Sequence, residues 1–289
     1  MPVDFLTPEQ ERAYGRYAGD PSAVDLARCF HLDDADRLLV AERRGDQNRL
    51  GWCVQLGTVR YLGTFLADPT DVPPGVVAHL ATQLGITDLA CLARYQTRYA
   101  HWDHAAEITR RYGYRAFTDH PGYARFVRWL YARAWTGAER PTVLFDHAVA
   151  RLIADKVLLP GVTVLERLVA RVRDRVAARL WGRLAALPSG AQRAALERLL
   201  LVTPDHRLTP LDRLRRGPVQ ANSVTLVAAL KRLDEVRALG VGALDLAAFP
   251  PSRLRVLARY AAASRAQTLE RLPPARRVAT LLALGFVSQ

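Results

Sequence analysis

His101-Trp102-Asp103-His104 with Glu107 sets two imidazoles and a carboxylate at i, i+3 and i+6, ligand types that hold zinc when one helix face presents them together. The order H-E-x-x-H is missing and no distant third ligand is signalled, so a solvated or core-edge helix face is the better reading and no metal is expected. Asp33, Asp34 and Asp36 crowd one helix start. Carboxylates gathered this way can hold Mg2+ for phosphoryl transfer, yet the helix dipole alone accounts for acids at a helix N-terminus. None of G-x-x-x-x-G-K-[ST], G-x-G-x-x-G or G-x-S-x-G occurs, so neither a complete active site nor a cofactor is expected.

The remaining chemistry is basic and aromatic. Arg94-Tyr95-Gln96-Thr97-Arg98-Tyr99, Arg110-Arg111-Tyr112-Gly113-Tyr114-Arg115 and Arg213-Leu214-Arg215-Arg216 interleave guanidiniums with phenols or leucine. Arginine forms charge-assisted bonds to phosphates, and tyrosine packs on sugars or donates its hydroxyl. The 289 residues carry a net charge of +13, and all but Lys156 and Lys231 of the 41 cations are arginine. A GC-rich genome fits the bulk preference, and arginine is also the better bidentate partner for phosphate and guanine. Residues 1–120 hold 13 cations against 16 carboxylates, whereas residues 121–289 hold 28 against 12. The C-terminal part therefore reads as the footprint of an anionic partner, nucleic acid first and an anionic membrane surface second.

The elements that must position these side chains read as helices throughout; strand alternation bounded by hairpin turns is nearly absent. Thr7-Pro8-Glu9 has the form of an N-cap, a proline at N1 and an acidic first turn, opening a helix that stops near Gly19-Asp20-Pro21. Ser22 caps the next helix. A helix from Asp33 reaches Arg44, Gly45 ends it in the left-handed conformation, and Asn48 caps the following helix, a helix-turn-helix in outline. Further helices are predicted over 74–84, 88–112, 122–138, 142–158, 162–187, 190–202, 209–216, 222–239, 251–271 and 274–286. In the helix over 162–187, Val164, Leu168, Val172, Val176 and Leu180 repeat at four-residue steps with arginines around them. Pro160-Gly161 offers a domain boundary, giving domains 1–160 and 161–289. Leu-Glu-Arg-Leu recurs at 165, 196 and 269 without a common period, so no repeat array is expected. Cys29, Cys53 and Cys91 stand singly, which fits a reducing cytoplasm. The N-terminus lacks a basic segment followed by an apolar one, and the apolar stretch 278–287 is short of a span, so the expectation is a cytoplasmic protein without a membrane partner.

The run RRGDQNRLGWCVQLGTVRYLGTFL resembles the R-R-G-D-x-N-R-L-G-x-x-x-Q-L-x-x-x-R-x-L-G signature of class II replicative transposases, the Tn-three family. FLTPEQERAYGRY, AAEITRRYGYRAF, KVLLPGVTVLERLVARVRDR, LDRLR and PPSRLRVLARYAAASRAQTLERLPPARRVATLL follow the same resemblance in the same order, across essentially the whole chain. The resemblance implies an all-α, multi-helical fold with helix-turn-helix-like DNA-binding modules in two subdomains. It implies a sequence-specific DNA-binding fragment that recognises the double-stranded terminal inverted repeats of a transposon. In the family an RNase H-like domain further on carries an Asp-Asp-Glu triad binding Mg2+; no residue here matches it, so the chain is expected to be truncated before that domain and not to be an enzyme. Carried over by position, the DNA contacts are Arg43, Arg44, Asn48, Arg49 and Arg60, then Thr97, Arg98 and His101, then Arg110, Arg111, Tyr112 and Arg115. Most are expected to meet phosphate, with Arg49 and Asn48 first among those reaching base edges. The alternative is a helical interaction module that pairs with intact transposase, within a transposase dimer, or with another partner and modulates transposition; the long helix over 162–187 motivates it.

Overall fold

The computed structural model describes residues 5–96, 100–202, 208–215 and 223–287. Among these every regular element is helical, and the only pairing of strand type is an isolated bridge between Arg115 and Val157. The all-α expectation holds. The chain divides into two compact units, one taking residues up to Arg128 together with Arg140–Ala170, the other taking Trp129–Glu139 and the chain from Arg171 onward. Pro160-Gly161 lies inside the first unit.

The first unit holds α1 (Pro8–Ala13), α2 (Ala23–Cys29), α3 (Asp34–Ala41), α4 (Asp46–Leu62), α5 (Pro74–Leu84), α6 (Ala93–Gln96) and α7 (Ala100–Arg111). It adds the first half of α8 (Gly122–Thr136), all of α9 (Pro141–Ala154) and the start of α10 (Val162–Ala186). Local chemistry sets the starts. Thr7 and Gln10 form a capping box before α1, Ser22 caps α2, and Asp33 with Asp36 forms a second capping box before α3, so that free N–H groups of each first turn gain oxygen partners. The helix opened by Thr7 stops at Ala13, short of the expected Gly19. The helix predicted over 88–112 is instead a 3-10 turn (Leu89–Leu92), α6 and then α7.

α4 is the axis of this unit: every residue from Leu50 to Val59 is buried. Two glycines make that possible. A methyl on Gly51 would lie 2.4 Å from the Tyr95 ring, and one on Gly57 would lie 2.2 Å from the Phe30 ring, so both rings rest on bare backbone. The polar side chains of α4 find partners inside, Gln55 donating to the Tyr95 hydroxyl (2.6 Å) and the His101 carbonyl (2.9 Å), Thr58 sharing a 2.8 Å bond with the Tyr17 hydroxyl. Cys29, Cys53 and Cys91 are free and buried.

The second unit holds the remainder of α8 and α10 with α11 (Gly190–Arg198), α12 (Pro210–Leu214), α13 (Ser223–Ala238), α14 (Pro251–Ala263), α15 (Ala266–Glu270) and α16 (Pro274–Val287). Leu254, Leu257 and Ala258 of α14 share a core with Val278, Leu281 and Leu282 of α16 and with Leu180 and Leu184 of α10. The helix predicted over 251–271 breaks at Ser264, whose extended backbone ends α14. Along α10 the buried row is Leu165, Val169, Val172, Val176, Leu180 and Leu184, while Val164 is 52% exposed. A strict four-residue step advances about 40° per step around a 3.6-residue helix, so the row begun at Val164 starts outside the core. Among the described residues no single helix is long and apolar enough to cross a membrane.

Candidate nucleic-acid interface

The turn between α3 and α4 carries the first block of candidate residues. α3 stops at Ala41 rather than at Arg44, and Gly45, with φ at +84°, is itself the N-cap of α4 and offers no side-chain cap. Asn48 is therefore not the cap. It sits in the first turn of α4, and its Nδ2 reaches back to donate to the Arg44 carbonyl at 2.9 Å. α4 cannot serve as a recognition helix beyond this first turn, because the residues that would face a groove are the core of the unit.

Three of the expected DNA contacts are spent inside the fold. Arg43 has a side chain only 8% exposed; its guanidinium lies 4.7 Å over the Trp52 ring and donates to Glu107 and to the Leu39 carbonyl. Arg60 grips Asp36 through two bonds of 2.9 and 3.0 Å and lies 5.2 Å over the ring of Tyr112, whose hydroxyl donates to the same carboxylate at 2.5 Å. Burial by itself would push the Asp36 carboxyl up, but the hydrogen bonds from Arg60 and Tyr112 and the Arg60 charge hold it below the usual carboxylate range. Phosphate contact by Arg60 would require leaving the buried Asp36 carboxylate without its cation, at a cost of several kcal/mol, whereas Glu107 would keep Arg111 if Arg43 left and Asp36 would keep Arg60 if Tyr112 left. Asp36 was legible only as a dipole-opposing acid; its 1% exposure makes it the hub of this cluster.

The His101–Glu107 segment is likewise taken up by packing. Glu107 accepts from Arg43 and from Arg111 (2.8 Å), and against the upward push of burial those two cations keep its carboxyl low. His104 stacks on Tyr95 and shares a 2.8 Å bond with its hydroxyl; burial, then the Arg43 charge, pushes the imidazole pKa down. His101 is half-buried, its ring 4.8 Å from that of Trp102. Among the described residues no three His, Cys, Asp or Glu side chains come together as a metal site.

The rest of the candidates divide by exposure. Arg44 and Arg110 are exposed, and neither forms an ion pair among the described residues. Arg49 is half-buried, bonded to Asp46 at 3.2 Å and to the Leu84 carbonyl at 3.4 Å. Arg111 is exposed on one edge while it holds Glu107, and exposed Arg115 donates to the Asp155 carbonyl at 3.1 Å. Thr97 and Arg98 lie outside the described residues, as does Arg216 of the later basic block. One residue was missed: Trp102 is 64% exposed and starts a row with Ala106 and Arg110 at four-residue steps along the outer face of α7. The four-residue step back from Arg110 was the signal in the sequence that places Trp102 on the same helix face.

A family profile described as Domain of unknown function (DUF4158) matches residues 5–172. Over 284 residues, 98% of its length, the chain is 44% identical to the transposase for transposon gamma-delta of Escherichia coli K12. It is 30% identical over 268 residues to the transposase for transposon Tn501 of Pseudomonas aeruginosa, and 26% identical over 260 residues to that for transposon Tn1546 of Enterococcus faecium, 92% and 89% of the chain. The matched segments amount to 28%, 27% and 26% of those proteins, so the chain spans about a quarter of the length of the curated relatives it matches.

Proposed function

The chain belongs to the DUF4158 family, and from that membership and its likeness to transposases we propose that it is a DNA-recognising portion of a replicative transposase, binding terminal inverted repeats and leaving strand transfer to other residues. The observation that carries this reading is the likeness to a transposase along 98% of the chain. Exposed, carboxylate-free Arg44 and Arg110 supply the first phosphate contacts, with Arg111 and Arg115 beside Arg110 in sequence. Trp102, on the Arg110 face of α7, packs its indole against sugar or base edges. Arg49 reaches a base only by leaving Asp46, an exchange of one exposed ion pair for a bidentate contact.

Fluorescence anisotropy with a labelled inverted repeat and a scrambled duplex tests the reading. With six to ten phosphates neutralised, affinity falls by about a thousandfold or more between 50 and 200 mM salt, and the repeat binds on the order of a thousandfold more tightly than the scrambled duplex. The double variant Arg44→Gln/Arg110→Gln reduces the log–log salt slope by about 2 with no change in thermal stability. A flat salt response without preference for the repeat overturns it.

A second reading, an interaction module that pairs with a transposase, is favoured by α13. Leu226, Val227, Leu230 and Leu233 are each 43–61% exposed on that helix, whereas the α10 row that first suggested such a module is buried from Val172 to Leu180. Light scattering distinguishes the two, since a monomer at all concentrations removes self-pairing through this face.

A further inference from the structure

The C-terminal stretch of α10 carries a ladder. Arg171, Arg175, Arg179 and Arg183 follow one another at four-residue steps and are all exposed, while Val172, Val176, Leu180 and Leu184, one residue out of phase, are buried. Four residues rise about 6 Å, so the ladder presents four cations along roughly 18 Å. Asp174 is the only carboxylate on α10 beyond Arg171.

The last two guanidiniums of the ladder are held by rings instead of carboxylates. Arg179 lies 5.7 Å from the Trp135 ring and 6.0 Å from that of Tyr131, with a 3.4 Å bond to the Tyr131 hydroxyl. Arg183 lies 5.8 Å from the Trp135 ring and 5.3 Å from that of Phe249. Stacking on a ring orients a guanidinium without neutralising it and leaves N–H edges open. Arg43 and Arg60 in the first unit are the contrast: each is oriented by a carboxylate that cancels its charge.

We propose that Arg171, Arg175, Arg179 and Arg183 form a phosphate-tracking surface of the second unit that grips one strand of duplex DNA independently of its base sequence. This rests on the DNA-binding reading above and assigns part of the binding to residues outside the first unit. Duplex DNA offers one phosphate per about 3.4 Å of axis on each strand, so a ladder spaced at about 6 Å meets several on a single pass. The geometry suits a curved polyanion better than a membrane. A four-residue row turns about 40° per step, sweeping its ends roughly 120° apart around the helix. A flat bilayer would meet only part of it, and the neighbouring exposed Ala178, Gly182 and Ala186 offer none of the large apolar side chains that an interfacial helix inserts.

The test uses the full chain, a scrambled duplex, the inverted repeat and vesicles containing phosphatidylserine. Replacing all four arginines by glutamine lowers the log–log salt slope on both duplexes by 3 to 4, so that the loss of affinity between 50 and 200 mM salt shrinks by about a hundredfold. Replacing all four by lysine keeps the slope. If the fourfold glutamine variant fails to fold by circular dichroism, Arg171→Gln/Arg175→Gln, which touches neither ring partner, is expected to lower the slope by about 2. An unchanged slope in a folded glutamine variant overturns the ladder while leaving the DNA-binding reading intact. Loss of vesicle binding with unchanged DNA binding overturns it in favour of a membrane. A wild-type chain that binds no DNA at any salt overturns both readings together.

Discussion

Asp36 decides what Arg60 can do. Its place in the transposase-like motif reads Arg60 as a phosphate ligand, but a carboxylate that is 1% exposed and holds both of its terminal nitrogens turns it into a tie between α3 and α4. Removing the acid leaves Arg60 half-covered and unpaired, so Asp36→Asn is expected to lower stability by roughly 3 kcal/mol, measured by urea denaturation at pH 7. The pairing also sets a pH dependence. Because the folded carboxyl titrates below its ordinary value, its stabilisation is complete at neutral pH, declines once pH falls below about 4, where the unfolded carboxyl takes up a proton, and is lost as pH passes through the lower folded value. Denaturation curves from pH 7 to pH 2 should therefore flatten in Asp36→Asn relative to wild type. Equal acid sensitivity in the two would remove Asp36 from the account.

At the level of the element, glycine has opposite roles in two helices. In α4 it permits close approach: Gly57 faces Phe30 with no room for a methyl, and Gly57→Ala should destabilise by about 1–3 kcal/mol through overpacking. In α10 a methyl on Gly182 would meet nothing within 4 Å, so Gly182→Ala should raise stability by up to about 1 kcal/mol through helix propensity and the unfolded-state entropy of glycine. Thermal melts of the two variants, moving in opposite directions, check the assignment of α4 as core and of this face of α10 as surface. The same distinction bears on the proposed DNA contacts, since α4 is buried beyond its first turn whereas α7 and α10 present exposed rows.

For the whole molecule, the division into units does not follow the Pro160-Gly161 break. Residues 162–170 belong to the first unit, bringing buried Leu165 and Val169 and the carboxylate of Glu166, 1% exposed, which accepts from the backbone N–H groups of Phe5 and Leu6 at 2.8 and 3.1 Å. A chain ending at residue 160 should therefore melt at a lower temperature than one ending at residue 172, by circular dichroism. Equal melting temperatures would make that segment dispensable to the unit.

The sequence by itself determined the helical class and where several helices begin or end. Capping residues, prolines at first turns and left-handed glycines act over a few residues, and for that reason Thr7, Ser22, Asp33, Pro74 and Gly85 were readable in advance. It also carried the likeness to transposases, because the order of motifs is itself a property of the sequence. Only the tertiary structure decided which cations are free. Arg43 and Arg44 are neighbours of one type, yet one is buried against Trp52 and Glu107 and the other is exposed. That choice depends on side chains about sixty residues away and on which face of α7 turns inward. No local pattern carries such information, because burial and pairing are set by packing between elements distant in the chain.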